Sequence, residues 1–495
     1  MEQAGASVAR LALAIAPQAR AVQLWCGPGN NGGDGLVAAR QLAEFGARPQ
    51  VYLLRARDKD DPEWRALVEA GVPATVVADD ADYARLDAAF ASAAMVLDAL
   101  FGTGIEPETR PFAGEVVDVL ARLAAARATA PSMQLIALDL PSGVNADTGF
   151  ADPATVAADA TVTFGYAKVG LYAMPGHRLA GRIVPVEIGL PSDSMLTLPF
   201  EALRRRDVQA LIRPRPAEGH KGTFGTVMIA AGSRKYPGAA RLTAEAAARS
   251  GAGLVTLAAP AEIQPLLAAL ADATHEPLPS EDGGLSAAAA PALLRALRAS
   301  RARSLLIGPG LGQAPGTRQF LEQLLGELGN VEGLRAVVLD ADALNILATL
   351  PDWRTRLTLP RILTPHPGEM ARLIEEPIAS VEGHRLEWAT GLARASKSVV
   401  VLKGACTIVA GPDGRARISE VASSALAHAG NGDVLAGLCA GFVAQGLDPF
   451  DAASAAVFLH ADAGRRVAEV YGDAATLASD LLRSLPEARK ALERG

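Results

Sequence analysis

Short apolar runs alternate with alanine- and leucine-rich segments along the first half of the chain, and this alternation limits the possible folds more than any other feature. Glycine, proline and polar residues bound the runs, as is typical of buried strands, and residues 36–45 have the periodicity of a helix. The predicted strands of this half are residues 21–26, 50–54, 95–100, 135–140 and 160–164. Strands separated by helices favour a parallel sheet with helices on both faces, which is a doubly wound α/β domain.

The second half repeats this alternation without repeating the sequence itself, and it includes a predicted helix at 239–250. Its predicted strands are residues 226–231, 254–258, 304–307, 336–339, 399–402 and 407–410. Prolines and an arginine cluster interrupt the pattern around 190–216, which is typical of a domain junction. Because 495 residues are too many for one ordinary domain, we expect two doubly wound α/β domains, residues 1–200 and 204–495.

Composition excludes several classes of protein. Hydrophobic residues make up 50% and charged residues 20% of the chain, which is typical of a soluble globular protein. The formal net charge is −7 and no long basic run occurs, so we expect no nucleic-acid partner. No stretch is long and apolar enough to predict a membrane span. Cys26, Cys406 and Cys439 are widely spaced and form no CxxC pair, which predicts buried thiols in a reducing, cytoplasmic compartment.

A glycine-rich loop follows the first predicted strand and precedes a helix. Residues 27–32 (GPGNNG) fit the G-x-G-x-x-G fingerprint of dinucleotide sites, although this match alone has low specificity. Closely spaced glycines let backbone N–H groups approach an anion at the positive end of a helix dipole. Asp34 in the same loop would repel a phosphate and suits a hydrogen bond to a ligand hydroxyl. A tight turn without a ligand remains the alternative.

Two aspartates follow predicted strands at the edge where open parallel sheets bind ligands. Asp98 begins the sequence DALFGTG, and Asp139 precedes Ser142 in LDLPSG. Two carboxylates and a hydroxyl at one edge can hold a cation or act as an acid and a base. Lys168 follows the next predicted strand, where an isolated lysine is more often a surface residue.

The most specific chemical pattern of the second half is AGNGDVLAG at 429–437. Gly430 and Gly432 at a helix start offer N–H groups to a phosphoryl group in transfer. Asp433 follows directly, where it can accept a proton from an attacking hydroxyl. An aspartate in a first helical turn can also be only a partner of the helix dipole, but the surrounding glycines favour catalysis.

Other loops border the predicted strands of the second half. The glycine loop at 219–225 enters the strand at 226–231 and suits the approach of an anion, with a turn without ligand as an equal alternative, and the glycine loop at 308–312 follows the strand at 304–307. His366 and Glu369 in TPHPGE are few for a metal site, so Glu369 is more consistent with an outer-sphere magnesium ligand. The segment 403–407 (KGACT) suits contact with a phosphate or an adenylate.

Together, GPGNNGGDG, DALFGTG and LDLPSG closely resemble the epimerase domain of the bifunctional NAD(P)H-hydrate repair enzymes, over about residues 3–190. This resemblance implies a Rossmann-like three-layer α/β/α sandwich. It implies that the hydrated nucleotide contacts Asn30, Asn31, Gly32, Gly33, Asp34, Gly102, Thr103, Gly104, Ile105, Glu106, Pro107 and Glu108. It also implies a potassium ion among Asn31, Asp98 and Ser142, and Asp139 near the reacting carbon with Lys168 assisting.

The second half, with HKGTFG, GPGLG, DADALN, TPHPGE, VLKG and GNGDVLAG, resembles the ADP/ATP-dependent dehydratase domain of the same family over about residues 204–490. The resemblance implies a ribokinase-like α/β fold. It implies that the hydrate contacts Ala240, Gly310 or Gly312, His366 and Asp433. It implies that the nucleotide contacts Lys403, Gly404, Ala405, Cys406, Thr407, Gly430, Asn431 and Gly432.

The chain departs from the family pattern in two places. Family members usually begin a few tens of residues before the stretch that matches residues 3–5, so we expect either a misassigned start or a first domain that has lost packing and epimerase activity. The segment before Asp433 usually reads PGMATGGTGD, whereas His428, Ala429 and Asn431 differ here. Because the core from Gly430 to Asp433 is retained, we expect altered rates and not the loss of the reaction.

The resemblance implies repair of NADH and NADPH hydrated at C6 of the nicotinamide ring (NADHX and NADPHX). The first domain would interconvert the R and S epimers, and the second would dehydrate the S epimer with ADP or ATP and Mg²⁺. It also implies a homo-oligomer, which composition does not decide. Two alternatives stay open. One is a ribokinase-like kinase of a vitamin-precursor alcohol, and the other is a first domain that serves as a Rossmann-like binding module.

Overall fold

The computed structural model describes residues 1–191 and 198–493. The chain divides into two compact units, Met1–Thr197 and Leu198–Gly495. Each unit has its own parallel-stranded sheet with helices packed on it, so the predicted α/β fold class with two doubly wound domains is confirmed. Within the described residues, every helix is too short or too polar to cross a membrane.

The first unit has one seven-stranded sheet in which all neighbouring strands are parallel. Its strands are β1 (Ala21–Cys26), β2 (Arg48–Leu53), β3 (Ala74–Val76), β4 (Met95–Ala99), β5 (Gln134–Leu138), β6 (Ala160–Phe164) and β7 (Arg182–Val186). Its helices are α1 (Glu2–Ile15), α2 (Asn30–Glu44), α3 (Pro62–Glu69), α4 (Ala84–Ser92), α5 (Glu115–Thr129) and α6 (Gly176–Ala180). The order β3-β2-β1-β4-β5-β6-β7 reverses between β1 and β4, and this switch point is where open α/β sheets bind ligands.

The sheet of the first unit is buried on both faces. Successive residues of β1 enter different cores, since Leu24 packs on one face of the sheet and Trp25 on the other. Helices α1 and α2 cover the Leu24 face, whereas α4 and α5 cover the Trp25 face. This arrangement is the three-layer sandwich that the resemblance implied.

Helix α2 begins at Asn30, six residues before the predicted start, so residues expected to form a loop make its first turns. The glycines in these turns serve close packing. A Cβ on Gly32 would lie 1.9 Å from the carbonyl oxygen of Gly27, and a Cβ on Gly35 would lie 2.7 Å from the Cβ of Ala99. Glycine here therefore lets the helix start approach the ends of β1 and β4, a tertiary effect that outweighs its low helix propensity.

The second unit has a ten-stranded sheet and a separate two-stranded ribbon. Its strands are β8 (Phe200–Leu203), β9 (Thr226–Ala230), β10 (Leu254–Pro260), β11 (Thr274–Leu278), β12 (Ser280–Glu281), β13 (Gly284–Leu285), β14 (Ser304–Ile307), β15 (Ala336–Leu339), β16 (Arg361–Leu363), β17 (Val399–Leu402), β18 (Ile408–Ala410) and β19 (Ala416–Ser419). Its helices are α7 (Arg205–Leu211), α8 (Pro237–Arg249), α9 (Gln264–Leu267), α10 (Ala289–Ser300), α11 (Pro315–Glu327), α12 (Asp342–Leu347), α13 (Trp353–Arg356), α14 (Pro367–Ile374), α15 (Ile378–Gly383), α16 (Arg385–Ser396), α17 (Asn431–Gln445), α18 (Pro449–Tyr471) and α19 (Ala478–Glu493).

The large sheet has the order β11-β10-β9-β14-β15-β16-β17-β18-β19-β8 and is parallel from β11 to β17. Its last part contains antiparallel pairs, β17 with β18 and β18 with β19. Strand β8 pairs with β19, so residues 200–203 belong to the second sheet. The boundary between the units therefore lies a few residues before the predicted end of the first domain at 200.

Helix α17 is buried on almost every side in the core of the second unit. It lies very close to α8, because a Cβ on Gly437 would be 2.4 Å from the Thr243 carbonyl oxygen and one on Gly441 would be 1.9 Å from Ser250 Oγ. These two glycines set the distance between the helices. The start of α17, with Asp433 in its first turn, is thereby fixed.

Candidate active sites at the carboxyl edges of the two sheets

Asp98, at the end of β4, is buried at the switch point of the first sheet. Its carboxylate accepts hydrogen bonds from Ser142 Oγ at 2.6 Å, Ser142 N at 2.9 Å and Leu100 N at 3.2 Å. Burial raises the pKa of this carboxyl group, and the bonds from Ser142 act in the opposite direction. The structure thus brings together Asp98 and Ser142, two of the three residues predicted to surround a cation.

Asn31, the third of these residues, has a buried side-chain amide. Within residues 1–191 and 198–493, neither Oδ1 nor Nδ2 of Asn31 has a hydrogen-bond partner. The amide lies 3.5 Å from the Cβ position of Gly102. A buried amide without partners is unusual and indicates that a further group belongs beside it. An amide oxygen, a hydroxyl and a carboxylate are hard oxygen donors of the kind that cations bind, and a potassium ion among these three residues stays a prediction.

Asp139 follows β5 with a φ of +67°, which is rare for a residue with a side chain. Its Oδ1 accepts hydrogen bonds from Lys168 Nζ, from Phe164 N at 3.0 Å and from Thr163 Oγ1 at 3.2 Å. Its Oδ2 lies 3.6 Å from the Cβ position of Gly102 and has no hydrogen-bond donor in the described part of the chain. The predicted pair of Asp139 and Lys168 is therefore in direct contact, with one carboxylate oxygen left for a ligand.

A cavity of about 430 Å³ in the first unit is lined in part by Asn30, Asp34, Phe164 and Ile188. Burial raises the pKa of Asp34 to about 6, and the negative charge of Asp139 raises it further. The terminal ammonium group of Met1, 3.9 Å from Asp34 Oδ1, acts in the opposite direction. The structure therefore places Asn30 and Asp34, both predicted to contact the hydrate, at an open space.

The predicted substrate loop from Gly102 to Glu108 has mixed surroundings. Thr103, Gly104, Glu106 and Glu108 are exposed, Ile105 is half-buried and Pro107 is buried. Glu108 accepts hydrogen bonds from Thr148 Oγ1 at 2.5 Å and Asn145 Nδ2 at 3.0 Å. Burial raises the pKa of Glu108, but these bonds outweigh it and lower the value. Glu108 thus fixes the loop to residues 145–148.

Arg57 is a member of this site that the sequence patterns did not indicate. Its Nη2 donates to the carbonyl oxygens of Gly27 at 2.9 Å and Gly29 at 3.0 Å, and its Nη1 pairs with Asp61 at 3.1 Å. These contacts attach the glycine loop to Asp61, the N-cap of α3. Arg57 lies in no motif, and only the three-dimensional contact reveals it.

Asp433 lies in the first turn of α17 at the carboxyl edge of the second sheet. Its pKa is raised to about 7, mainly by burial and also by the nearby charge of Asp340, while Lys403 acts in the opposite direction. The Asp433 carboxylate has no hydrogen bond or ion pair with any of the described residues. Gly430 caps the helix with a φ of +91°, and a Cβ there would lie 2.7 Å from Leu242. Glycine at this position therefore permits both the left-handed backbone of the helix cap and its close approach to Leu242.

Lys403, after β17, lies among acidic side chains. Its Nζ is 2.7 Å from Asp340 Oδ1 and 3.6 Å from Glu369 Oε2, and Asp340 also accepts from Thr364 Oγ1 at 2.7 Å. Burial lowers the pKa of Lys403, but Asp340 and Glu369 outweigh burial and raise it. The Cβ position of Gly432 is 3.4 Å from Nζ. Lys403 therefore lies between the two acidic residues Asp340 and Glu369 on one side and Gly432, which precedes Asp433, on the other.

His366 is the N-cap of α14, and its Nδ1 accepts from Gly368 N at 3.0 Å and Glu369 N at 3.3 Å. Burial lowers its pKa, although Glu369 acts in the opposite direction. Glu369 is buried, accepts from His366 N at 2.8 Å and lies near Lys403. Direct coordination of magnesium by Glu369 would displace these partners, so its role as an outer-sphere ligand stays a prediction. No cluster of three or more histidine, cysteine or acidic side chains suited to a metal ion occurs among the described residues.

A cavity of about 160 Å³ adjoins Lys403 and the start of α17. Six of the predicted nucleotide contacts line it: Lys403, Gly404, Ala405, Thr407, Asn431 and Gly432. Cys406 and Gly430 do not line it. The Cys406 thiol is buried, and burial raises its pKa to about 12. Lining residues that the sequence patterns missed are Ser419, Val421, Ser423, Leu426, Ala427, Leu435, Val457, His460 and Ala461.

The remaining predicted hydrate contacts have different surroundings. Gly310 and Gly312 both have positive φ, and nothing lies within 4 Å of a Cβ on Gly312. Gly312 N donates a hydrogen bond to Asp342 Oδ2 at 2.8 Å, so this loop is held beside the residue two positions after Asp340. Ala240 is fully buried and packs against Gly232, so its side chain faces the core and not an open site. The loop at 219–225 lies before β9, at the sheet edge opposite Asp433.

The residues that depart from the family pattern hold the loop before Asp433. His428 Nε2 lies 3.2 Å from the carbonyl oxygen of Asp473, and Ser424 Oγ donates to Asp473 Oδ2 at 2.5 Å. Asn431 Nδ2 donates to the Ala425 carbonyl oxygen at 3.3 Å. Ala429 is exposed. The loop is therefore attached to the turn that follows α18.

Each half of the chain matches a model of a known protein family. A family model described as NAD(P)H-hydrate dehydratase matches residues 227–487, and one described as YjeF-related protein N-terminus matches residues 1–170. The chain is 39% identical over 484 residues to the bifunctional NAD(P)H-hydrate repair enzyme Nnr of Moorella thermoacetica, covering 96% of this chain and 88% of the relative.

Two solved structures resemble the second unit. A ribokinase-like superfamily protein from Enterococcus faecalis is 27% identical, with 60% of this chain and 98% of that chain covered and a TM-score of 0.52. The ADP/ATP-dependent NAD(P)H-hydrate dehydratase from Bacillus subtilis, co-crystallised with ATP and Mg²⁺, is 32% identical, with 59% of this chain and 99% of that chain covered and a TM-score of 0.49.

The identity to the Moorella enzyme extends across both units, and it agrees with the motifs of both halves of the sequence. The resemblance inferred from these motifs is confirmed. The chain is therefore a member of the family of bifunctional NAD(P)H-hydrate repair enzymes, which join an epimerase domain to an ADP/ATP-dependent dehydratase domain.

Proposed function

We propose that the first unit epimerises NADHX and NADPHX and that the second unit dehydrates the S epimer at the expense of ADP or ATP. The observation that carries this proposal is the half-buried Asp433 carboxyl group, which has a pKa of about 7 and directly follows Gly432, a lining residue of the cavity next to Lys403. Such a group is a base suited to neutral pH. The named activity and the ATP of the Bacillus subtilis relative support the choice of nucleotide.

In the dehydration step, Asp433 accepts the proton of the C6 hydroxyl, and the hydroxyl oxygen attacks the terminal phosphorus of the nucleotide. The bond from that phosphorus to the bridging oxygen of the nucleotide breaks. The C6–O bond then breaks, with phosphate as the leaving group, and loss of a proton from C5 restores the ring double bond. Hydroxide is a poor leaving group and phosphate is a good one, which explains why a nucleotide is consumed.

The neighbours of Asp433 have distinct tasks in this proposal. The N–H groups at Gly430 and Gly432 face the phosphoryl group in transfer, where developing negative charge is stabilised by fixed dipoles. Lys403, positioned by Asp340 and Glu369, supplies a positive charge beside Gly432. His366 and the loop at 310–312 orient the hydrated ring. A magnesium ion bound with the nucleotide, with Glu369 in its outer sphere, would neutralise phosphate charge.

In the epimerase unit, Asp139 carries the proton at the hydrated ring through Oδ2, which has no donor in the described residues. Lys168, Thr163 and Phe164 N fix Oδ1 and so hold the carboxylate in one orientation. Asn30 and Asp34 at the 430 Å³ cavity bind the hydroxyl groups of the substrate. A potassium ion held by Asn31, Asp98 and Ser142 would supply positive charge near the substrate.

The acidic chain, with net charge −7, supports a small-molecule enzyme without nucleic-acid or membrane partners. Three buried free thiols support the cytoplasm as its compartment. The family resemblance supports a homo-oligomer. The kinase of a vitamin-precursor alcohol is not favoured, because the Moorella relative matches both units over most of its length.

One assay tests the whole proposal. Purified protein is mixed with both epimers of hydrated NADH, Mg²⁺ and either ADP or ATP, and recovery of the reduced-nicotinamide absorbance is followed. Recovery of the whole pool faster than spontaneous epimerisation supports both activities. Recovery of the S fraction alone supports only the dehydratase, and no recovery with either nucleotide overturns the proposal.

A further inference from the structure

Two chemically different groups of residues line the small cavity beside Lys403. One group is Lys403, Gly404 and Gly432, which offers a positive charge and backbone groups suited to phosphates. The other group is apolar and consists of Val421, Leu426, Leu435, Val457 and Ala461. A planar ring that is attached to phosphates suits a lining of both kinds. No acidic side chain lines the cavity in the part of the chain that the structure describes.

His460, on α18, is buried and lines this cavity. Its Nε2 lies 3.0 Å from the carbonyl oxygen of Asn431. A carbonyl oxygen can only accept, so Nε2 carries the proton and Nδ1 is a free lone pair. Burial lowers the pKa of His460 to about 4, which keeps the ring neutral at physiological pH. Among residues 1–191 and 198–493, no donor to Nδ1 is present.

Asn431 adds a second acceptor at the same wall. Its Nδ2 donates to the Ala425 carbonyl oxygen, whereas Oδ1 is buried and has no donor in the described chain. A buried acceptor without a donor, such as Asn431 Oδ1, is costly, and His460 Nδ1 is a second acceptor without a protein donor at the same cavity. The missing donor therefore belongs to the molecule that occupies the cavity. A nucleotide offers two candidates, the exocyclic amino group of the base and the 2′-hydroxyl group of the ribose.

We infer that His460 Nδ1 accepts a hydrogen bond from the 6-amino group of an adenine nucleotide, so that His460 is the residue that selects adenine over a 6-oxo purine. This inference rests on the proposed nucleotide-dependent dehydration. The amino group is favoured over the ribose hydroxyl because the residues of α18 that line the cavity beside His460 are the apolar Val457 and Ala461, which suit a base. A 6-oxo group at this position would bring an acceptor against an acceptor.

The test compares binding of ADP, IDP and 2′-deoxyADP to the full chain by calorimetry, because IDP has an oxo group where ADP has the amino group. We expect wild-type protein to bind ADP at least about 10-fold more tightly than IDP. His460→Gln retains a donor at the Nε2 position and removes the Nδ1 acceptor, so the ratio should fall toward 1. His460→Asn is the matched variant, since its amide oxygen can replace Nδ1, and it should retain a larger part of the preference.

Three results would overturn the inference. One is equal binding of ADP and IDP by wild type, and another is an unchanged ratio in His460→Gln. The third is a change confined to the ratio of ADP to 2′-deoxyADP, which would assign His460 to the ribose. Epimerisation by the other unit and the thermal unfolding curve check that each variant is folded. Because binding is measured without turnover, a failed dehydration assay would reject the proposed function and leave this test intact.

Discussion

The two units place an aspartate and a lysine at the carboxyl edge of a parallel sheet, but they pair them differently. In the first unit, Lys168 donates directly to Asp139. In the second, Lys403 pairs with Asp340, and Asp433 is left without a hydrogen-bond partner among the described residues. The same architecture thus gives one carboxylate that is held by a cation and one that is half-buried without such a partner, whose pKa is raised to about 7 by desolvation and by the charge of Asp340. The position of the lysine therefore distinguishes a carboxylate that is held by an ion pair from one that has no such partner.

The backbone reinforces this contrast. Asp139 has a φ of +67° at the end of a strand, where it is fixed by Phe164 N and Thr163. Asp433 lies in an ordinary helical turn, and its position depends on the glycine contacts of α17 with α8. Replacement of Asp139 should therefore affect epimerisation alone, and replacement of Asp433 should affect dehydration alone.

The largest effect is expected for Asp433→Asn. Loss of the base should reduce the rate of S-NADHX dehydration by about 10²- to 10⁴-fold, the usual contribution of general-base catalysis. The rate is measured from reduced-nicotinamide absorbance with saturating nucleotide. Epimerisation of the R form by the same preparation is the control and should not change. Dehydration within a factor of a few of wild type would remove Asp433 from the mechanism.

Asp139→Asn should reduce epimerisation by about 10²-fold, because the amide cannot carry the proton. Thr163→Val, which removes only a side-chain donor to Oδ1, should reduce it less. Epimerisation is followed by chromatography after subtraction of the spontaneous rate, and dehydration of the pure S epimer is the control. Equal epimerisation rates for Asp139→Asn and wild type would show that Asp139 does not carry the proton in the first unit, and that it is therefore not the counterpart of Asp433.

Asp433→Asn should also stabilise the protein, in a pH-dependent manner. The folded-state pKa of about 7 lies above the ordinary value of 3.8, so the folded chain binds this proton more tightly than the unfolded chain. The stabilisation by the protonated form is complete below pH 4 and is lost as the pH rises through 7. The variant should therefore gain about 2–4 kcal/mol relative to wild type at pH 8 and little at pH 4. Urea unfolding at both pH values measures this difference, and an equal gain at the two pH values would contradict it.

Asp342→Asn should change the pH profile of dehydration. In wild type, kcat/KM should rise with pH through about 7 as Asp433 loses its proton. The negative charge of Asp342 raises the pKa of Asp433, so its removal should move the rise to lower pH by roughly half a unit. The amide can still accept from Gly312 N. A shift in the opposite direction would mean that the rise reports another group.

The smallest effect is expected for His428→Thr, which restores the usual family residue. Loss of the contact with the Asp473 carbonyl group should loosen the loop before Asp433 and change kcat by roughly 2- to 5-fold. The exposed neighbour Ala429→Gly is the matched variant and should change kcat less. Identical kinetics for His428→Thr and wild type would show that the contact does not affect the active site.

The sequence by itself determined the two α/β halves and most catalytic candidates. Apolar runs such as residues 304–307 and 336–339 predicted strands with the observed bounds, because a buried strand has a local signature. Asp98, Asp139 and Asp433 were found because each lies next to a strand end or in a glycine turn. Motifs identify such residues well, since the chemistry there depends on a short stretch of backbone.

Only the tertiary structure decided how these residues are paired and how far their pKa values shift. The pairing of Lys403 with Asp340 joins residues far apart in the chain, and so does the contact of His460 with Asn431. Arg57 supports the glycine loop without belonging to any motif. A local pattern specifies the local backbone, whereas burial and electrostatic neighbours depend on segments that folding brings together.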